Sequence, residues 1–251
     1  MINKITFVIL LLVLNLNAST ITVAVAANVS YAIKDLIKEF KIQNPNTKVK
    51  IALGSSGKLT AQITHGAPYD LFMSANMKYP QNLYDNSSAI TKPEIYAKGS
   101  LAIFTTKNLD LKKDLNQLLK SKEIKQIAIA NPKTAPYGIA SFQALKNAKI
   151  FDDIKDKFVY GESISQTISY ALSATDIGLI AKSSLFSNKM EKYKENINWK
   201  EINKTLYTPI NQGIVILKNA EKKKEARAFY DFILSKKAQI IFKKYGYLVN
   251  E

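Results

Sequence analysis

Two hydrophobic rhythms alternate along the chain. Short runs rich in β-branched residues, at 21–26, 48–53, 71–74, 101–105, 126–130, 157–160, 177–181 and 213–217, read as strands, and between them apolar residues recur at helical spacing. The clearest helix carries Val29, Ala32, Ile33, Leu36, Ile37 and Phe40 at i, i+3, i+4, i+7, i+8 and i+11, all on one face. Further helices are expected to begin near Lys58, Gly138 and Ile164, the last with Ile164, Ile168, Ala171 and Leu172 on one stripe, and two more close the chain over 220–234 and 236–244. Strands alternating with helices predict an α/β protein. No repeat, low-complexity tract or flexible linker interrupts the pattern.

The start of the chain follows a different rule. An apolar run at 5–14 stands behind Lys4, is broken by Asn15-Leu16-Asn17-Ala18, and gives way to polar Ser19-Thr20. That layout predicts a secretory signal peptide over 1–18. The run is shorter than the ~20 residues a membrane span needs.

Composition then removes whole classes of chemistry. With 47% hydrophobic and 22% charged residues, the chain is a folded globular protein rather than a disordered one. It has no cysteine, which excludes disulfides, thiol catalysis and cysteine-held metal, and leaves no thiol to take a lipid. His65 is the only histidine, so multi-histidine metal sites are excluded and a catalytic triad has one candidate base. The net charge of +16 comes from 36 basic and 20 acidic residues, among which Arg227 is the lone arginine. Base readout and phosphate forks favour the guanidinium, and the lysines are dispersed, so no nucleic-acid partner is expected and the charge reads as a solvated basic surface.

Four places where a strand hands over to a helix carry the chemistry: Ala26-Ala27-Asn28-Val29, Gly54-Ser55-Ser56-Gly57-Lys58-Leu59, Asn131-Pro132 through Ala135-Pro136-Tyr137-Gly138, and Gly161-Glu162-Ser163-Ile164. Each presents unpaired N–H groups at the positive end of a helix dipole, and several converging would bind an anion without any cation. Taken singly, each is also an ordinary helix cap, with Asn28 and Ser163 in N-cap position. As a cap, Asn28 would accept replacement by Asp at no cost to folding. The glycine–serine turn fits neither a phosphate loop, since Leu59 follows Lys58, nor a nucleophile elbow, since Gly57 directly follows Ser56. A triad of Ser56, His65 and Asp70 can be written down, but the helix between Ser56 and His65 argues against direct proton transfer, and its His65-Gly66 end reads as a C-terminus with a C′ glycine. Lys58, one turn into its helix, is expected to reach water rather than an anion.

The stretch from Gly54 to Leu59, with Gln62-Ile63, Gly66-Ala67-Pro68-Tyr69-Asp70-Leu71-Phe72 and Ser74-Ala75, resembles the signature of the molybdate-binding periplasmic proteins of ABC importers. The resemblance continues through Ala26-Ala27-Asn28, Ala135-Pro136-Tyr137-Gly138, Phe229-Tyr230-Asp231-Phe232 and Tyr245-Gly246-Tyr247, and so covers nearly all of the chain after the signal segment. It implies a two-lobed periplasmic binding protein of type II, each lobe a mixed sheet flanked by helices, with two crossings near Ser100 and Asn211. The first lobe would hold 19–99 and 212–251, the second 100–211.

Carried over position by position, the resemblance implies that Asn28 and Ser56 from the first lobe, and Tyr137 and Ile164 from the second chiefly through main-chain N–H, hold the oxyanion. Ser55 and Ala27 are additional candidates. Molybdenum or tungsten would be present only as that oxyanion, with no cofactor and no catalysis. The implied partners are an inner-membrane ABC permease and its ATPase, the implied place is the periplasm, and the implied state is a soluble, unlipidated monomer. The chain departs from the family where some members have Ser in place of Asn28, and where Ala181 stands in the strand from which some supply a tyrosine hydroxyl. The alternatives are a binder of another oxyanion or small acid, or an exported serine hydrolase using Ser55 or Ser56.

Overall fold

The computed structural model describes residues 19–249; the signal segment predicted over 1–18 lies outside them. From Ser19, β1 (Ser19–Ala26) passes through a 3-10 turn at Ala27–Tyr31 into α1 (Ile33–Gln43). There follow β2 (Thr47–Gly54), α2 (Ser56–Thr64), β3 (Leu71–Met73), α3 (Lys78–Asp85) and β4 (Glu94–Gly99). After Ser100 the chain enters a second set of elements: β5 (Leu101–Phe104), α4 (Leu115–Lys120), β6 (Ile127–Ala130), α5 (Pro136–Asn147), α6 (Phe151–Ile154), β7 (Phe158–Gly161), α7 (Ile164–Ser173), β8 (Ile177–Ala181) and β9 (Trp199–Glu201). It returns with β10 (Ile210–Ile216) and ends in α8 (Lys224–Ile233) and α9 (Lys236–Lys244).

The strands form two mixed sheets, β2-β1-β3-β10-β4 and β7-β6-β8-β5-β9. In the first, β1 runs parallel to β2 and β3 while β10 lies antiparallel between β3 and β4; in the second, β6 runs parallel to β7 and β8 while β5 is antiparallel to β8 and β9. Both sheets are covered on both faces, which the alternation of side chains along a strand demands. Ile21, Val23 and Val25 of β1 pack with Leu36 and Phe40 of α1, Phe229 of α8 and Phe242 of α9, whereas Ala24, between them, joins Leu59 of α2 and Leu83 of α3 on the opposite face. In the second sheet Ile127 and Ile129 of β6 pack with Ala140 and Ala144 of α5, and Ala128 with Ile168 and Ala171 of α7. Burying a side chain such as Phe242 is worth about 1.5–3 kcal/mol.

Local chemistry sets the ends of the elements. The stop predicted at His65-Gly66 is a Schellman motif: Gly66 takes φ +85°, its N–H donates to Ile63 O and that of Ala67 to Gln62 O. Ser163 caps α7 by accepting from Gln166 N. Two carboxylates tie down the sheet ends remote from the strand-to-helix junctions. Asp70, buried just before β3, accepts from Thr22 N at 2.8 Å and from Lys223 Nζ at 2.7 Å. Asp176, just before β8, accepts from Lys125 N at 2.6 Å, Gln126 N at 2.8 Å and the Lys107 ammonium. Among the described residues no helix is long and apolar enough to cross a membrane.

Burial would raise the Asp176 carboxyl, but the hydrogen bonds from Lys107, Gln126 and Lys125 outweigh it and hold the group below its ordinary value. A lowered folded-state value stabilises the fold above the unfolded value of about 4, and that contribution disappears as pH falls through the folded one. Asp176→Asn should therefore cost about 1–3 kcal/mol at neutral pH. Denaturant melts of both proteins at pH 7 and pH 3 should show the gap closing at the lower pH; a gap that does not depend on pH contradicts the assignment.

Candidate functional site

Register places the four junctions side by side. Ala26, the last residue of β1, pairs with Gly54, the last of β2, and Ala130 of β6 pairs with Gly161 of β7. Parallel strands end at one edge of their sheet, so each sheet delivers two junctions to one place. All four meet. Ala26-Ala27-Asn28, Gly54-Ser55-Ser56, Ala135-Pro136-Tyr137 and Ile164, with Ala75, line a single small cavity. Every candidate taken from the sequence, Asn28, Ser56, Tyr137 and Ile164 together with Ser55 and Ala27, is in that lining, and no charged residue is.

The lining is a set of donors. Ser56 is fully buried at the first position of α2, and its Oγ accepts from Ala75 N at 2.9 Å, which leaves the hydroxyl proton to be given away. Ser55 occupies the N-cap position yet makes no capping hydrogen bond, so its hydroxyl is not spent on the helix. Gly57 N donates to Thr134 O and Leu59 N to Ser55 O, and Ser56 N–H remains a first-turn donor without a partner in its helix. In α5, Pro136 has no N–H, and Gly138 and Ile139 both donate to Ala135 O; Tyr137 N–H is the donor left over. In α7, Gln166 N and Thr167 N are taken by Ser163, and Ile164 N–H is left in the same way. Three dipole N-termini and a rotatable hydroxyl therefore meet without a cation.

Asn28 is not a cap. It lies inside the 3-10 turn, where the cap position is Ala26 and no side chain caps. The residue is 1% exposed, and its Nδ2 donates to Gln212 Oε1 at 2.8 Å and to Tyr247 Oη at 3.0 Å. Gln212 also accepts from Tyr96 Oη and donates to Tyr137 Oη, so the side chains behind the cavity form one buried network. Burial pushes the phenols of Tyr96, Tyr137 and Tyr247 far above their ordinary value, and all three stay protonated. Sequence reasoning missed Gln212, which lies 184 residues from Asn28 and has no local signature. Tyr247 lies in the Tyr245-Gly246-Tyr247 motif, but nothing near it in the chain shows that it reaches Asn28.

Three further contacts join the two sets of elements across the cavity: Gly57 N to Thr134 O at 2.9 Å, Ser165 Oγ to Ala27 O at 2.9 Å, and Ser183 Oγ to Asn28 O at 3.2 Å. Ala181 is buried at the end of β8 outside the lining, while Ser183, two residues on, holds the Asn28 carbonyl. Lys58 is exposed and does not line the cavity. The triad is not assembled, because His65 Nδ1 contacts Ala61 O at the far end of α2 and Asp70 is held by Thr22, Asn219 and Lys223. A larger cleft of ≈ 350 Å³ beside α4 is lined by Ile103, Leu118 and Leu206 among others and gathers none of the four junctions. Among the described residues no cluster of His, Asp or Glu could hold a metal ion.

Comparison with known proteins covers nearly all of the described chain. The model of the bacterial extracellular solute-binding protein family matches residues 21–248. The molybdate-binding protein ModA of Rhodobacter capsulatus is 31% identical over 90% of this chain and 87% of its own, and that of Azotobacter vinelandii 33% identical over 89% and 87%. The solved periplasmic molybdate-binding protein of Azotobacter vinelandii superposes with a TM-score of 0.83 at 31% identity, covering 92% of this chain and all of that one.

Replacing Asn28 with Asp is no longer the benign change a cap would allow. It buries a carboxylate against Gln212 Oε1 and Tyr247 Oη, removes the donor between them, and raises the new group's folded-state value above the unfolded one. The expected cost is about 2–4 kcal/mol at pH 7, shrinking as pH falls below that raised value. Melting curves across pH 4–8 test it, and a variant as stable as wild type at pH 7 would show that Gln212 and Tyr247 turn donors toward the carboxylate.

Proposed function

Because the chain belongs to the bacterial extracellular solute-binding protein family, we propose that it captures molybdate between its two lobes and delivers it to an ABC importer, an inner-membrane permease with its ATPase. The ModA names of its relatives support the choice of ion. The observation that carries the reading is the convergence of Ser56 Oγ and the first-turn N–H groups of α2, α5 and α7 on one uncharged cavity. Tungstate, of the same charge and shape, is a second ligand of this site.

A dianion taken out of water needs several charge-assisted hydrogen bonds, and helix N-termini supply them in fixed directions. Donors held by the fold discriminate by the span between oxygens, so the smaller sulfate is held loosely. Protonated phosphate brings a hydrogen that a donor-only lining cannot accept. The lobes are taken as 19–99 with 212–251, and 100–211, the crossings falling beside β4 and β5 and ahead of β10. Closing them buries the ion, and the ion favours closure only by its preference for the closed state. No bond is made or broken, and no cofactor takes part. Removal of 1–18 in the periplasm leaves a soluble monomer without a lipid anchor.

Thermal melting of the mature chain with molybdate, tungstate, sulfate or phosphate tests the reading. A ligand at ~1,000 times its dissociation constant adds about 4 kcal/mol, which for domains of this size moves the midpoint by roughly ten degrees. Molybdate and tungstate should produce that rise and the other two much less; no rise with molybdate rejects the proposal.

Two adjacent residues should behave in opposite ways. Lys58→Ala should keep the affinity, since the side chain faces water, and lose only salt-sensitive capture rate. A Cβ at Gly57 would come within 3.0 Å of Thr134 Cα and O across the cavity and 2.7 Å of Tyr79 Oη. Gly57→Ala should hold the lobes apart and weaken molybdate binding at least tenfold with little change in the melting point of the unliganded chain. Titration calorimetry of both variants decides, and the reverse pattern would transfer the anion's partner to Lys58.

A further inference from the structure

Asn28 offers the cavity the wrong atom. Its Nδ2 is turned away toward Gln212 Oε1 and Tyr247 Oη, and its Oδ1, buried in a residue that lines the cavity, has no hydrogen-bond partner. A buried acceptor without a donor is unfavourable by itself. Beside an oxyanion it is also repelled, whereas the amide's other end would donate.

What holds the amide this way is Gln212. The residue is fully buried in β10; its Oε1 accepts from Asn28 Nδ2 at 2.8 Å and Tyr96 Oη at 2.9 Å, and its Nε2 donates to Tyr137 Oη at 3.3 Å. Both phenols stay protonated, and a hydroxyl can donate or accept. The whole set can therefore be reversed. If Gln212 turns its amide by half a turn, Oε1 accepts from Tyr137 Oη, and Nε2 donates to Asn28 Oδ1 and Tyr96 Oη, whose own proton goes to Ser74 O, already 3.1 Å away. Tyr247 Oη, which donates to Asn28 O, redirects its proton to Oδ1, while Ser183 Oγ continues to serve Asn28 O. The orphan Oδ1 gains two partners, the groups around it keep theirs, and Nδ2 is released toward the cavity, where the anion is its acceptor.

We propose that Gln212 is the positioning residue that sets the polarity of the anion site, through paired half-turns of the Asn28 and Gln212 amides that present Asn28 Nδ2 to the bound oxyanion. This rests on the molybdate reading above. The Gln212–Tyr137 bond links β10 to α5, so the orientation of Asn28 is coupled to the seating of the second lobe. Gly99 keeps that bond possible, because a Cβ there would strike Tyr137 Oη and approach Gln212 Nε2 to 2.8 Å.

The test is a double-mutant cycle read with molybdate by titration calorimetry at pH 8. Gln212→Glu gives Asn28 only acceptors and holds Nδ2 away from the cavity; in an Asn28→Ser background the freely turning hydroxyl needs no amide to aim it. The loss caused by Gln212→Glu should be at least tenfold larger with Asn28 than with serine. Equal losses would assign the effect to the added charge and overturn the proposal. Should the glutamate variant not fold, Gln212→Met removes the amide that aims Asn28 without adding charge, and in the same cycle a larger loss with Asn28 than with serine supports the proposal while equal losses overturn it. In the unmutated protein, the side-chain amide resonances of both Asn28 and Gln212 should move on adding molybdate, and a stationary Gln212 overturns the proposal. A wild-type chain that binds no molybdate removes the reading beneath it and this proposal with it; a wild type that binds, with equal losses in the cycle, removes this proposal alone.

Discussion

Three helix N-termini brought to one small cavity is the constraint to which the other features of the structure answer. Each carries roughly half a positive charge, and like ends repel. The fold offsets part of this by giving neighbouring donors backbone acceptors across the cavity: Thr134 O for Gly57 N, Ala27 O for Ser165 Oγ, Asn28 O for Ser183 Oγ. The N–H donors of Ser56, Tyr137 and Ile164 stay at the lining, untaken by such acceptors. The doubly charged oxyanion proposed above would satisfy all of them at once.

The layout of the sheets produces this geometry before any binding residue is chosen. Parallel pairing of β1 with β2 and of β6 with β7, in registers that align Ala26 with Gly54 and Ala130 with Gly161, makes the helices begin side by side. The residues around the donors are small, as Ala26, Gly54, Ala75 and Ala135 show, so no side chain fills the space and the backbone itself is the wall. At the other ends of the sheets Asp70 and Asp176 clamp strand starts through main-chain N–H groups. Asp70 belongs to the motif that carries the family resemblance, yet its work lies at the opposite end of β3 from the cavity. A residue in a signature stretch is not thereby a ligand.

Most of the strands, the long helices and the four junctions were legible because their signals are local. Periodicity marks a helix, and a Ser or Gly after a strand marks its start. The elements that escaped did so for physical reasons. β4 is an edge strand whose Glu94 and Lys98 blur the alternation, and β9 is three residues long. Pro80 within α3 reads as a breaker, although it lies in the first turn, where its missing N–H costs nothing. Asn28 looked like a cap because its only neighbours in sequence are a strand before it and a helix after it; its partners Gln212 and Tyr247 are 184 and 219 residues away. Convergence of the junctions could be stated as a condition from the sequence, but only the register of the sheets meets it.

The strongly basic surface and the neutral site answer different demands. A lysine in the cavity would hold sulfate, phosphate and molybdate alike, since a point charge on a flexible stem imposes little geometry. It would also leave a buried ion pair to be broken whenever the ion is passed on, and separating such a pair is costly. Donors fixed by helix ends avoid both, because their strength depends on oxygens falling where the fold has placed the hydrogens. Charge is then useful only at a distance. Lysines such as Lys58, exposed and outside the lining, act through water over roughly the 8 Å that physiological salt allows, raising the local concentration of anions of every kind. Selection among those anions falls to the uncharged cavity. On the proposal above, that selection rests on which end of the Asn28 amide faces inward, and Gln212, whose Oε1 accepts from Asn28 Nδ2 and which is not in the cavity lining, sets it.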